Sequence, residues 1–231
     1  MVRRRAARLD VGGVQIGHAE AGGGSTGVSV ALFDGGAPAV VDVRGGASAT
    51  YDLASLSLDA TFGRRWAIFF SGGSLFGLDA AAGIRDQILE SGGGRSVFSN
   101  PHRIAPVSGA ALFDLPGGKT PIPDYRALGR EAARTARSDS VEIGKVGAGA
   151  GALVGKYRGR PAAMPGGLGW ASRPLGRGGH LGALVVVNAV GAVRDPASGR
   201  WVAGPADQVA ASCRRKRRGG LPPPVSARRS P

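Results

Sequence analysis

The sequence predicts a layered α/β domain built on a mixed β-sheet. Three observations carry this. Short apolar runs rich in β-branched residues are separated by glycine turns. Two longer stretches carry apolar residues at helical spacing. Strands and helices alternate, yet several strands are consecutive, which favours a mixed sheet over a doubly wound parallel one.

The elements follow in order. "VGGVQIGHA" and "TGVSVALF" read as short strands, and "APAVVDVRGG", Ala37 to Gly46, as a third. "RWAIFFSGG" is a strand running into a glycine turn. "SLFGLDAAAGIRDQILESGGG" is a helix: Phe76, Ala80, Ile84 and Ile88 recur every fourth residue, and Gly92–Gly94 end it. "HRIAPVSGAALFDL" is apolar and suits burial. "IPDYRALGREAARTARS" is a second helix, with Pro123 and Asp124 suited to its first turn and arginines crowding its end. "EIGKVGAGAGALVGKYRG" is a glycine-rich run leading to Lys156. "PGGLGWASRPL" and Leu181–Val193 read as two strands of one sheet, and "DPASGRWVAG" as a turn with a short strand. The stretch Leu181–Val193 is the most apolar in the chain and holds Asn188 at its middle. A buried amide needs partners, so Asn188 either ties local backbone or serves a bound group.

Composition narrows the function classes. The chain has 231 residues, 42% of them apolar, enough for a real core. The net charge of +14 is concentrated in Arg3, Arg4, Arg5 and Arg8 and in the segment from Ala206 onward. A nearly balanced body with basic ends, and no aromatics in those ends to stack bases, argues against nucleic-acid binding. Cys213 is the only cysteine, so no intrachain disulfide forms. His18, His102 and His180 lie far apart with no ligand spacing, so zinc is not expected, and no cofactor-binding fingerprint points to a cofactor. The start lacks the apolar run of a secretory signal, and Leu181–Val193 is too short to span a bilayer. The expectation is a cytoplasmic protein without membrane contact. From Ala206 the apolar pattern stops. The prolines and the basic block predict a disordered tail over 206–231.

Known catalytic motifs fit poorly. "SGGSLFG" sits between a strand and a helix but lacks the spacing of G-x-S-x-G and of G-x-G-x-x-G. Tight helix–sheet packing accounts for it, and an anion at the helix start is the other reading. A P-loop needs glycine where Ala150 stands and Ser or Thr where Tyr157 stands. Spacing leaves Lys156 either a solvated loop lysine or a cation held close to backbone.

Seven segments in order then carry a resemblance: "TGVSVALF", "VDVRGGASAT", "SGGSLFGLDAAAGI", "ALFDL", "VGAGAGALVGK", "GGLGWAS" and "LGALVVVNAVGAVRDPASG". Together they resemble the DmpA-type aminopeptidase family, which includes L-aminopeptidase/D-esterases, β-aminopeptidases and nylon-oligomer hydrolases. The resemblance implies a four-layer α/β/β/α sandwich of the N-terminal-nucleophile-hydrolase kind. It implies a precursor that cuts itself into a large α and a small β subunit and so frees a Ser or Thr nucleophile, whose own amine serves as base. Substrates would be small peptides, amides or esters with a free amino end. Assembly would be a homo-oligomer or an α/β heteromer. Lys156 in "LVGKY" matches a lysine beside the nucleophile, and Asn188 in "VVVNAVG" matches the oxyanion asparagine. At "ALFDL" some branches carry a tyrosine in the substrate site; here Phe113 stands there without the hydroxyl.

The resemblance sets boundaries: a basic extension over 1–10, an α-subunit-like aminopeptidase domain over 11–205, and the tail over 206–231. No Ser or Thr nucleophile with strand-forming sequence behind it follows Gly204. The expectation is therefore a truncated α-subunit portion, inactive by itself. The alternatives are an α subunit with a separately encoded partner, or a non-catalytic binding scaffold.

Overall fold

A computed structural model describes residues 4–46, 48–61, 63–99, 101–115 and 120–209. Along the chain run strands β1 (Arg5–Arg8), β2 (Val14–Glu20), β3 (Gly27–Pro38), β4 (Ala49–Tyr51) and β5 (Arg64–Ser71). Helix α1 (Ala80–Glu90), β6 (Arg95–Ser96), β7 (Arg103–Ile104), β8 (Val107–Ala111), α2 (Tyr125–Arg134) and β9 (Ser140–Ile143) follow. Then come β10 (Leu153–Val154), β11 (Met164–Pro165), β12 (Gly167–Leu175), β13 (Gly179–Val187), β14 (Val193–Arg194) and β15 (Trp201–Ala203). The described residues divide into two compact units, one of residues 4–152 with 165–188 and one of residues 153–164 with 189–209.

The first unit is built on a five-stranded sheet in the order β2-β3-β5-β8-β4. β5 and β8 are parallel and the other pairs antiparallel, so the sheet is mixed, as expected. Period-two alternation divides β3 between the two faces. Val28 and Val30, with Ala67, Phe69 and Val107, pack under Ala80, Ala81, Ile84 and Ile88 of α1 and Tyr125, Ala132 and Ala133 of α2. Ala31, the next residue after Val30, faces the opposite side, with Ile16 beside it in register. There Leu9, Ile16 and Val141 form a second cluster, flanked by Trp170 and Leu184. Two antiparallel ribbons, β1–β9 and β12–β13, supply that layer.

The helices approach closely because glycine stands at their crossing. A Cβ at Gly83 would overlap the Arg126 carbonyl, and one at Gly129 would overlap Ala80. Asp124 caps α2, its Oδ1 accepting the Ala127 N–H at 2.9 Å, and Arg134 occupies the last turn. The first predicted helix begins differently. Ser74–Asp79 is a 3₁₀ stretch, and the α-helix starts only at Ala80. Phe76 therefore leaves the apolar stripe and is half exposed.

Two strand expectations are corrected. Ala37–Gly46 is not a strand of its own: β3 runs through to Pro38, and Ala39 makes the last ladder-like bond, to the Gly63 carbonyl. Beyond it no neighbouring strand pairs with residues 40–46, and Val40 is 77% exposed. Leu181–Val193 is shorter than predicted, since β13 ends at Val187, opposite Gly167 where β12 begins. With no ladder partner past that point, Asn188 is the first residue beyond the strand. The ribbon is also far less buried than its composition suggests: Leu181 is 58% and Val185 51% exposed. The basic head, expected as an extension, enters the fold as β1, paired with β9 from Arg5↔Ile143 to Arg8↔Ser140.

The second unit contains the antiparallel pair β14–β15, joined by a turn in which Asp195 accepts from Ala197 N, Ser198 N and the Ser198 hydroxyl. Arg194 stacks over Trp201 at 4.8 Å. Residues 206–209 form a helical turn bound to Tyr157 and Arg158 through Gln208 and Asp207. Order thus continues four residues into the predicted tail, and the rest of the tail lies outside the described residues. Among the described residues no helix is long and apolar enough to cross a membrane.

Candidate active site

The segment "ALFDL" meets the turn "SGGS" beside the end of β13. Leu112 donates its N–H to the Ser71 carbonyl at 2.7 Å and accepts the Ser74 N–H at 2.9 Å. Asp114 is 2% exposed, and its Oδ1 accepts the Gly73 N–H at 2.7 Å. Gly73 adopts φ +81°, which glycine reaches without strain, and a Cβ there would enter the Tyr125 ring. A Cβ at Gly72 would overlap both Thr26 Oγ1 and Asp114 Oδ2, and one at Gly151 would stand 2.5 Å from Asp114 Oδ2. The tight-packing reading of "SGGSLFG" is the one observed. The anion at the helix start is also present, and it belongs to the chain: it is the Asp114 carboxylate.

Tyr125 and Thr26 complete this interior with a hydroxyl–hydroxyl bond of 2.8 Å. Burial pushes the Tyr125 phenol up to about 12; the Thr26 bond opposes this, and the nearby Asp114 adds to it. The phenol therefore stays protonated throughout the neutral range.

Asn188 Nδ2 donates to the Phe113 carbonyl at 3.0 Å. This settles the local geometry of the two residues. The Phe113 side chain is 66% exposed, while its backbone oxygen orients the amide. An amide nitrogen carries two hydrogens, so a bond that fixes one also fixes the direction of the other.

Lys156 belongs to the second unit. It opens a 3₁₀ turn, Lys156–Arg158, and is half-buried. Gly155 before it has φ +83° and donates its N–H to Gly191 O at 2.9 Å. A Cβ at Gly155 would overlap the Gly204–Pro205 backbone. Glycine at 155 thus lets two backbone segments of this unit approach closely. The structure brings Phe113 and Asn188 together; Lys156 is placed within its own unit.

Sequence reading passed over Asp114, Thr26 and Tyr125. Their one signal was an aspartate following the apolar run "AALF", a position where an ionisable group needs a dedicated partner. Among the described residues no three His, Cys, Asp or Glu side chains come together as metal ligands.

A part-buried polar group lies on β2. His18 Nδ1 is 2.9 Å from Ser29 Oγ, which in turn accepts the Ala148 N–H at 3.0 Å. Ser29 Oγ has room to accept from both Ala148 N–H and the ring or to donate to the ring, so the donor in the His18–Ser29 bond follows the imidazole tautomer. Burial lowers the imidazole to about 4; Glu20 pulls it upward and Arg4 downward. Glu20 also accepts the Gly147 N–H at 2.8 Å and pairs with Arg4.

The model of Peptidase family S58 matches residues 7–211. An uncharacterized aminopeptidase of Mycobacterium tuberculosis is 37% identical over 221 residues, covering 87% of this chain and 61% of the relative. The 6-aminohexanoate-oligomer endohydrolase of Paenarthrobacter ureafaciens is 35% identical over 194 residues, covering 84% and 51%. That of a Kocuria species is 34% identical over 196 residues, covering 85% and 52%. The chain thus spans about half to three-fifths of the length of these relatives. The match of one family model to nearly the whole described chain makes it a member of Peptidase family S58, the DmpA family.

Proposed function

We propose that this chain supplies the oxyanion side of an amide-hydrolysing site. The carrying observation is the Asn188 amide, held by the Phe113 carbonyl at 3.0 Å at the end of β13. In this reading a Ser or Thr hydroxyl attacks the substrate carbonyl and its proton passes to a neighbouring amine. The carbonyl oxygen gains negative charge, and the second N–H of Asn188 donates to it. Lys156 adds a positive charge that favours the alkoxide. Collapse expels the amine, and water then frees the acyl group.

The nucleophile comes from sequence that relatives carry beyond the length matched here, released by self-cleavage. With that part in place, the helix–sheet–ribbon arrangement of the first unit extends to a four-layer sandwich. The substrates are small peptides, amides or esters with a free amino end. Two kinds of support exist: family membership, and relatives whose names specify aminopeptidases and an amide-oligomer hydrolase.

The test is complementation. The chain is co-expressed with the part of the mycobacterial relative outside the match, and hydrolysis of amino-acid p-nitroanilides and 6-aminohexanoate oligomers is measured. The expected result is hydrolysis by the co-purified complex and a kcat about 10²–10³ lower for Asn188→Ala. A complex that hydrolyses neither, or an Asn188→Ala complex with unchanged kcat, refutes the reading.

A further inference from the structure

The Asp114 carboxylate is buried, yet it is not on the path of any bond change proposed above. It is flanked by Gly72 and Gly151, where a Cβ would overlap its carboxyl group. A charge-bearing group so enclosed, with its Oδ1 on the Gly73 N–H, has a constrained role.

The geometry of one peptide unit indicates that role. The Phe113 carbonyl and the Asp114 N–H share a peptide plane, which is rigid. The N–H end is held by the Leu112 carbonyl at 3.2 Å. The following side chain is held by Gly73 N–H at 2.7 Å. The carbonyl end receives Asn188 Nδ2 at 3.0 Å. Rotation of this plane would carry the Phe113 oxygen away from Asn188. Leu112 is fixed on both sides by Ser71 and Ser74, so the remaining freedom lies at Phe113 and Asp114.

We infer that Asp114 is a positioning residue for Asn188: its bond to the Gly73 N–H sets the 113–114 peptide plane, whose carbonyl aims the Asn188 amide. This rests on the reading of Asn188 as the oxyanion donor only for its catalytic meaning; the coupling itself is structural. It also accounts for the two glycines of "SGGS". Gly73 presents the N–H, and Gly72 leaves space for the carboxylate.

The test uses the full chain and needs no substrate. Asn188 is one of two asparagines in the sequence, so selective ¹⁵N-asparagine labelling gives two side-chain amide pairs. Asp114→Ser is too short to reach Gly73, and Asp114→Asn retains an acceptor oxygen. In Asp114→Ser the Asn188 pair should shift, and its hydrogens should exchange roughly fivefold to tenfold faster, as for loss of one ordinary hydrogen bond. In Asp114→Asn the pair should stay near its wild-type position. Far-UV and near-UV spectra check that each variant is folded. If Asp114→Ser does not fold, Asp114→Thr, also too short to reach Gly73 but closer in volume, takes its place with the same expected shift. An unmoved Asn188 pair in the folded displaced variant overturns the inference. A shifted pair together with an inactive complemented enzyme would leave the coupling standing and remove the proposed activity instead.

Discussion

Lowering the pH from 8 to 5 should destabilise the first unit through one residue, His18. In the folded chain its imidazole is held neutral, lowered by burial to about 4. Unfolded, it titrates at an ordinary value of about 6.5. Between those two values the unfolded chain binds the extra proton, so stability falls as pH falls through the window. The full difference is about 3 kcal/mol once both states are protonated, and about 2 kcal/mol is already lost at pH 5. Urea unfolding at pH 8, 6.5 and 5, on wild type and His18→Gln, reads it directly. The variant can still accept from Ser29 but cannot titrate. Carboxylates held low, such as Asp139 at about 2 beside Arg137, contribute their losses below this window. Wild type should lose stability between pH 8 and 5, and His18→Gln should lose little. Equal losses in the two proteins would show that His18 does not carry the effect and refute the reasoning.

Other substitutions test the packing. Gly73→Ala must accommodate φ +81° and a methyl inside the Tyr125 ring; a loss of about 3 kcal/mol or more is expected in urea unfolding. Arg65, 1% exposed, is bound by Asp52, Ser55 and Ser108. Arg65→Ala should cost about 3 kcal/mol, because it removes the buried partner of that network, and thermal melting will show it. On the β12–β13 ribbon, Leu175 and Leu181 are 47% and 58% exposed. Changing both to Ser should reduce self-association in light scattering without lowering the melting temperature.

Much of the fold was legible in the residues themselves. Period-two alternation in "GVSVALF" and four-residue spacing in "AAAGIRDQI" each select a backbone and a buried face before any long-range contact forms. Asp124 and the arginines of α2 mark that helix by local electrostatics. The seven ordered segments were sufficient to identify the family. Asn188 and Phe113 could be singled out because they stand in two of those segments.

Other features depended on neighbours far away in sequence. A strand lasts only as long as it has a ladder partner, so Ala37–Gly46 stops at Pro38 and Leu181–Val193 at Val187. No local pattern carries that information. Nor could spacing show that the anion at the "SGGS" turn is Asp114, 41 residues on, or that the Phe113 carbonyl receives the Asn188 amide. Composition and periodicity specify which faces must be covered and which turns must bend. Which backbone group meets which side chain is decided by tertiary packing, since a hydrogen bond depends on distances of a few ångströms that only the assembled chain sets.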